Sequence, residues 1–486
     1  MRADVKPLPL LLLPPLLLLL ATWAPLAAAR STSLRDTSAE RRPAQAEPRT
    51  GITVSAQVSS APRRPYVVWW EGATADYWLC LWERDPRAGD ATPLARLDLG
   101  AGLADHSGWW DTGIAAADSH TEPPSYEATD LGRWAGLVPR SAGDVSSSAV
   151  GVSSLATRPR WMEQSRAQLA PLPLTALFLP GTHDSGAYKL FSAADAAASA
   201  ALPRETLIDK YSVAQEESVL WQLALGARYL DLRVAYYPLT DEVWWLNHGL
   251  VRFRPLADVL QQVLTFVQNT QEVVVLDFHE FPVGFRQQGR RLGSVHDQLV
   301  AELRAQLGAV AAPPTAGGGG WAATLDQLWA GGRRLVVSYN DATTVAGNAD
   351  FLWSAVSQKW GDVRTLDDLH DYLQGLYLSP PTGPWAAMAE LTPNTMDVLL
   401  DRLGGLRKMA DLVNKNVTAW YRGKWGQTVN AVAVDFIQGT SIVEAAIDWN
   451  LQRAAEARKA NVTLPLCSSA PGRTGELCPS TPGRHL

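Results

Sequence analysis

Two histidines and one arginine in this chain occupy settings from which they could move protons around a phosphorus atom. His183 and Asp184 follow an apolar run, Leu172 to Leu179, that is broken by Pro180-Gly181-Thr182. An apolar strand followed by a tight turn is how an α/β barrel offers an acid–base residue at the C-terminal end of a strand. About fifty residues on, Tyr229-Leu230-Asp231-Leu232-Arg233 and Leu246-Asn247-His248-Gly249 bring Arg233 and His248 to similar strand ends. Cleaving a phosphodiester needs a base for the attacking hydroxyl, an acid for the leaving oxygen, and positive charge where the phosphorane becomes anionic. Imidazole titrates near neutrality, so His183 and His248 suit the proton roles. The planar guanidinium of Arg233 suits the phosphate. Asp231 and Arg233 share one face of a strand, where the acid can orient the guanidinium. Asp184, and Asp435 in Val434-Asp435-Phe436, are the carboxylates that can fix the histidine tautomers. This chemistry needs no metal, and no metal ligand or other cofactor is expected.

The elements around these residues alternate. Strands are expected at Leu174 to Leu179, Arg228 to Ala235, Glu242 to Asn247, Glu272 to Phe278, Leu335 to Tyr339 and Ala431 to Phe436. Helices are expected at Gln215 to Leu225, Pro255 to Gln268, Ser294 to Leu307, Thr324 to Trp329, Thr395 to Asn414 and Thr440 to Arg458. Such alternation implies a mainly parallel sheet with helices outside it. A span of roughly 300 residues with function at the strand ends favours a TIM-like, distorted β/α barrel over residues 160–460. Before it, residues 51–145 read as an antiparallel β-sandwich. Its clearest strands are Gly51 to Val58, Tyr66 to Trp70, Tyr77 to Trp82, Leu94 to Leu99 and Arg133 to Val138. Ser141 to Ser154 reads as a linker. Seven of the chain's 20 tryptophans fall between 51 and 150. Trp69-Trp70 and Trp109-Trp110 are read as sandwich core, with an exposed lipid- or sugar-contacting rim as the alternative.

The bulk figures set bounds. The chain has 486 residues, 47% hydrophobic and 19% charged, as a packed globular protein does. A net charge of −6, without a long basic run, gives no sign of nucleic-acid binding. Arg2 and Lys6, an apolar stretch from Leu8 to Leu20, and Ala27-Ala28-Ala29 follow the order of a secretory signal over residues 1–29. Pro14-Pro15 argue against a stable spanning helix. Residues 30–50 read as a polar linker and 461–486 as a C-terminal tail. A secreted, extracellular protein is the expectation. Cys467 and Cys478 could then bridge within the tail, while Cys80 reads as a buried core thiol. Asn416 and Asn461 begin Asn-Val-Thr triplets and would be glycosylation acceptors on that route.

Leu179-Pro180-Gly181-Thr182-His183-Asp184-Ser185-Gly186 resembles the opening motif of phosphatidylinositol-specific phospholipase C X domains. Asp231-Leu232-Arg233, Asn247-His248-Gly249 and Asn430 to Phe436 follow in the order of that family. The likeness covers about residues 160–460. It is strongest to short eukaryotic X-domain proteins that lack Y, PH and EF-hand modules, especially those with a signal peptide and an N-terminal β domain. The resemblance implies that His183 is the general base acting on the inositol 2-hydroxyl, oriented by Asp435. It implies that His248, supported by Asp184, protonates the diacylglycerol oxygen, and that Arg233, backed by Asp231, holds the phosphate. A cyclic inositol phosphate would form first. Calcium-dependent members place metal-binding carboxylates on the strand that carries Arg233 here, so calcium independence is expected.

The resemblance also has gaps. Leu276-Asp277-Phe278-His279-Glu280-Phe281 and Ser338-Tyr339-Asn340 stand where basic contacts to the headgroup are expected. His279 and Tyr339 are the substrate-contacting candidates in their place. The expected substrate is a phospholipid or inositol phosphodiester, with peripheral membrane contact left open. A glycerophosphodiesterase-like barrel is the weaker enzymatic reading, because its His-Arg-Gly opening and Glu-x-Asp metal pair are missing. A secreted scaffold that binds through the tryptophan-rich β domain is the alternative of another class.

Overall fold

Branched apolar residues set the first layer. The computed structural model describes residues 47–58, 63–89, 91–100, 107–143, 145–190 and 206–463. The leader-like residues 1–29, most of the linker, and Cys467 and Cys478 lie outside the described residues. Seven strands open the described chain: β1 (Arg49–Val54), β2 (Pro65–Glu71), β3 (Tyr77–Trp82), β4 (Ala95–Asp98), β5 (Ser107–Ala115), β6 (Asp130–Pro139) and β7 (Val150–Ala156). They form two antiparallel sheets, ordered β1-β2-β5 and β4-β3-β6-β7. Ile52, Val54, Val68 and Trp70 of one sheet pack on Leu79, Leu81, Ala135 and Leu137 of the other, the aligned core of a sandwich. Residues 141–154, expected as a linker, instead contain most of β7, which pairs with β6.

The tryptophan pairs divide. Trp70 and Cys80 are buried within the sandwich, but Trp109 is 42% exposed and is not core. Trp69 faces away from the sandwich core, because successive strand residues point to opposite sides. Its indole N–H donates to Ser441 Oγ at 2.9 Å, and the Arg422 guanidinium lies 3.8 Å from its ring. Arg64, which is buried, donates to Gln438 Oε1 at 2.9 Å, and Ser119 donates to Glu216 at 2.9 Å. Sandwich and barrel therefore share a buried polar seam.

The barrel strands are β8 (Leu179–Thr182), β9 (Tyr229–Tyr236), β10 (Trp244–His248), β11 (Val251–Pro255) and β12 (Val274–Glu280). After a short hairpin, β13 (Arg286–Gln287) with β14 (Arg290–Arg291), come β15 (Leu335–Tyr339), β16 (Trp353–Ser354), β17 (Ser357–Lys359), β18 (Trp385–Met388) and β19 (Ala431–Val434). Eight of them form a parallel series, β16-β15-β12-β9-β8-β19-β18-β17, with the antiparallel β10–β11 hairpin beside β9. Neighbouring strands are hydrogen-bonded throughout, but β16 and β17 do not pair with each other. The sheet is a distorted TIM-like barrel with one open seam. Its curl is visible in Gln358 of β17, whose amide reaches Asp231 of β9 at 3.0 Å although three strands separate them in the sheet.

Side-chain parity assigns the faces. Leu230, Leu232, Val274, Leu276, Leu335, Val337, Val432 and Val434 pack outward with the helix residues. Tyr229, Val275, Val336, Ala386, Met388, Ala431 and Ala433 pack in a second, interior cluster. Both faces are buried, as the near-continuous Val/Leu/Ala runs of a parallel sheet require. On the outside, Leu256–Asn269 is helical and buries Leu256, Val259, Leu260, Val263, Phe266 and Val267, a stripe of period 3.6. The expected helix Thr395 to Asn414 is instead two, Thr395–Leu399 and Leu406–Arg422. Gly404 and Gly405 break it with φ of 73° and 95°, and a Cβ at Gly405 would stand 2.8 Å from the Lys210 carbonyl oxygen. At the foot of β9, Arg228 and Glu272 form a fully buried ion pair at 2.6 Å. Arg228 also donates to the carbonyls of Leu223, Ala227, Arg158 and Pro159, and Glu272 accepts from the N–H groups of Met162 and Glu163. Such a pair tolerates burial because its remaining donors and acceptors are used.

Candidate active site

The turn after β8 is held from two sides. Asp184 has φ of 37°, a left-handed conformation that side chains disfavour. Its backbone N–H donates to Asp231 Oδ2 at 3.0 Å, and the N–H of Ser185 donates to the Asp231 carbonyl at 2.9 Å. From the other side the fully buried Gln215 donates to the carbonyls of His183 and Val434, at 2.9 and 2.8 Å. One amide thus braces the backbone beneath both His183 and Asp435. The β10 strand doubles back along β9, with Leu246 opposite Val234, and so returns His248 to the mouth that β9 opens.

The six residues expected to carry the chemistry converge there. His183 Nδ1 lies 2.8 Å from Asp435 Oδ1, and Arg233 Nη2 lies 2.7 Å from His183 Nε2. Asp231 Oδ2 accepts from Nε and Nη2 of Arg233, each at 3.2 Å. Glu280 lies 3.3 Å from Nη1. The rings of His183 and His248 stand perpendicular with centroids 5.9 Å apart. His248 Nδ1 is 2.8 Å from the Ser212 carbonyl, which fixes the proton on that nitrogen and turns Nε2 away from it. Asp184 Oδ2 stands 3.9 Å from both Arg233 Nε and His248 Nδ1, and neither of its oxygens has a hydrogen-bond partner. His183, Arg233, His248 and Asp435 line one cavity of about 490 Å³.

Charge crowding separates the two histidines. Burial works against the His183 imidazolium, but the Glu390 and Asp435 carboxylates prevail and hold it up at about 9. The Arg233 guanidinium can only donate, so its contact with Nε2 requires a lone pair there. That contact and the imidazolium exclude each other: loss of the proton and docking of Arg233 go together. Burial, with the cationic Arg233 and His183 beside it, pushes His248 down to about 3. Burial also raises Asp184 to about 8, against the pull of Arg233. For Asp231 burial is outweighed by Arg233, His183 and His279, which bring it to about 2. Burial opposes the charge on Arg233 as well, yet Asp231, Asp184 and Glu280 fix it as a cation.

His279 lines the cavity, its Nδ1 3.3 Å from Asp277 Oδ2. Tyr339 does not reach it, which corrects its placement among the substrate contacts. It shares the outward parity of Leu335 and Val337, and its hydroxyl lies 2.8 Å from His296 Nδ1 within an aromatic cluster with Phe281. Asn340, the next residue, lines the cavity instead. Asn416 lies mid-helix with its amide donating to the Leu412 carbonyl, and Thr418 of the same triplet is buried. Asn461 falls in the last turn of the helix Ile442–Thr463. Sequence reasoning misses Gln215, Gln358, Trp360 and Glu390. The last three sit on or just after β17 and β18, strands too short and too plain to be seen; the polar Glu390 after the apolar Trp385-Ala386-Ala387-Met388-Ala389 is the one signal that could have found it.

No protein-family model matches the chain. Among curated proteins, "PI-PLC X domain-containing protein 1" of Mus musculus is 30% identical over 309 residues, which is 60% of this chain and 86% of that protein. Its Homo sapiens namesake is 29% identical over 308 residues, covering 60% of this chain and 91% of that protein. Among solved structures, a phosphatidylinositol-specific phospholipase C from Staphylococcus aureus overlaps 60% of this chain and 97% of its own with a TM-score of 0.45 and 14% identity.

Proposed function

The chain belongs to the PI-PLC X domain-containing proteins, and from that membership we propose that it is a phosphoric diester hydrolase of the phospholipase C type. Its substrate is an inositol-type phosphodiester, and the reaction runs through a cyclic phosphate. His183, oriented by Asp435, takes the proton of a headgroup hydroxyl, whose oxygen then attacks phosphorus. That attack is intramolecular, so little is required beyond proton transfer and charge stabilisation. Arg233 turns its donors from His183 to the phosphate and frees Nε2 beside the hydroxyl. His248 gives a proton to the departing lipid oxygen. Burial first, then the cationic Arg233 and His183, keep His248 unprotonated at Nε2. An arriving phosphodiester anion offsets those cations and favours a proton on Nε2, the ring nitrogen turned away from Ser212, from which it passes to the leaving oxygen.

The observation that carries this reading is the approach of Arg233 Nη2 to His183 Nε2 at 2.7 Å, with the His248 ring 5.9 Å from that of His183. Three groups suited to one phosphate face one space. Arg233 supplies fixed positive charge where a metal would otherwise stand, so the reaction is proposed to need no calcium. The test is turnover of a soluble fluorogenic inositol phosphodiester by the wild type against His183→Ala. Equal turnover by the two would leave the scaffold reading ahead. Export is proposed with it, on the order of residues 2–29; N-terminal sequencing of the protein from culture medium is its test, and retention of Met1 inside the cell would oppose it.

A further inference from the structure

Beyond the groups that would surround the scissile phosphate, the cavity is acidic and hydroxyl-seeking. Glu390 follows β18 and is 6% exposed, and its Oε2 has no hydrogen-bond partner. It lines the same cavity as His183, Arg233 and Asp435. A buried carboxylate oxygen without a donor is costly, and natural proteins keep few of them away from sites where something supplies the donor. Glu280, half exposed at the same mouth, already pairs with Arg233. The remaining polar lining is His279, Asn340, Gln358, Thr392, the Tyr211 hydroxyl and the Trp360 indole, and no lysine and no second arginine lines the cavity among the described residues. Arg233 is taken by the scissile phosphate. A further phosphate on the headgroup would therefore find no other fixed cation among those residues and would meet Glu280 and, above about pH 7, to which burial raises its carboxyl, the ionised Glu390.

We infer that Glu390 is a specificity-determining residue that accepts a hydrogen bond from a headgroup hydroxyl and, with Glu280, rejects headgroups bearing additional phosphates. The substrate class is then the phosphodiester of an uncharged polyol. This rests on the hydrolase reading for its location and deepens it by naming the headgroup. Polar replacement isolates the effect: Glu390→Gln keeps the shape and an acceptor but removes the charge, and Glu280→Gln does the same at a half-exposed position.

The experiment compares kcat/KM for two soluble inositol phosphodiesters, one with an unsubstituted ring and one with a ring phosphate, in wild type and both variants. The wild type is expected to prefer the unsubstituted ring by at least about a hundredfold, and each variant to narrow that ratio by about tenfold, chiefly through KM for the phosphorylated substrate. A wild-type ratio near one, or a ratio unmoved in Glu390→Gln, overturns the inference. Equilibrium binding of inositol monophosphate and inositol bisphosphate to the same proteins separates this failure from failure of the hydrolase reading. A site without turnover that still binds the monophosphate more tightly, with the margin reduced in Glu390→Gln, supports the inference while defeating the enzyme. Tighter binding of the bisphosphate, or binding of neither, overturns it.

Discussion

Asp184 Oδ2 and His248 Nδ1 stand 3.9 Å apart with no hydrogen bond between them, although both are enclosed in the site. The carboxyl is pushed up to about 8 and the imidazole down to about 3, so in the free protein the titrating proton sits on the acid while His248 keeps only the Nδ1 proton it donates to the Ser212 carbonyl. Asp184 is fully buried and His248 lies mostly buried at the cavity wall, and burial favours the neutral form of each. An anionic ligand changes that balance, which makes the pair responsive to the substrate.

The pH dependence follows. His183 acts only without its Nε2 proton, and its pKa is raised to about 9, so kcat/KM rises with pH toward that value. The Asp184–His248 pair must still hold a proton, and it loses that proton above about 8. Since kcat/KM reports the free enzyme, the profile should be a narrow bell with its maximum between these limits. Glu390→Gln removes the carboxylate that lifts His183 and should move the maximum to lower pH. A maximum below neutrality in the wild type would contradict the assignments.

Arg233 combines fixed charge with several donors, and its neighbours use them in fixed directions. Arg233→Lys keeps the charge and loses the fork, and kcat should fall by about 10²–10³, the scale of one lost transition-state donor. Chelation with EDTA should leave the wild-type rate unchanged. Abolition of activity by EDTA, with recovery on adding calcium, would overturn the metal-free reading.

Stability should depend sharply on the foot of β9. Arg228→Ala leaves Glu272 buried without its partner, a change that costs about 3–5 kcal/mol. Urea denaturation should report a loss of that size, whereas removing the exposed Arg87–Asp85 pair should change stability by less than about 1 kcal/mol. A midpoint unaltered in Arg228→Ala would show that the pair does not anchor the barrel.

Much of this site is legible in the amino-acid sequence because its residues lie in or just after apolar segments that the fold uses as barrel strands. The strand expected at Leu174 to Leu179 is instead a 3-10 turn at Leu174–Ala176 followed by β8 at Leu179–Thr182, because Pro180-Gly181 extends the pairing toward His183. Asp435 follows the apolar β19, and strand parity alone places Asp231 beside Arg233. The expected strand Leu335 to Tyr339 matches β15 at both ends for the same reason. That parity also turns Tyr339 outward, on the face of Leu335 and Val337, so a substrate contact there runs against the alternation of its own strand. β16 and β17 have two and three residues, too few to carry a period, which leaves Gln358 and Trp360 out of reach. The break at Gly404-Gly405 shows as a glycine pair, but the amphipathic pattern on either side of it reads through as one helix. Gln215 is invisible for another reason: a buried amide that braces two backbone carbonyls leaves no mark on spacing or composition.

The central claim is that His183 and His248 act on one phosphorus atom. Its most direct test is ³¹P NMR of a soluble inositol phosphodiester incubated with the wild type, His183→Ala and His248→Ala. A cyclic phosphate resonance appearing first with the wild type, and slowed at least about a hundredfold in each variant, is the predicted result. Equal accumulation of product in all three proteins, or no product with the wild type, would contradict it.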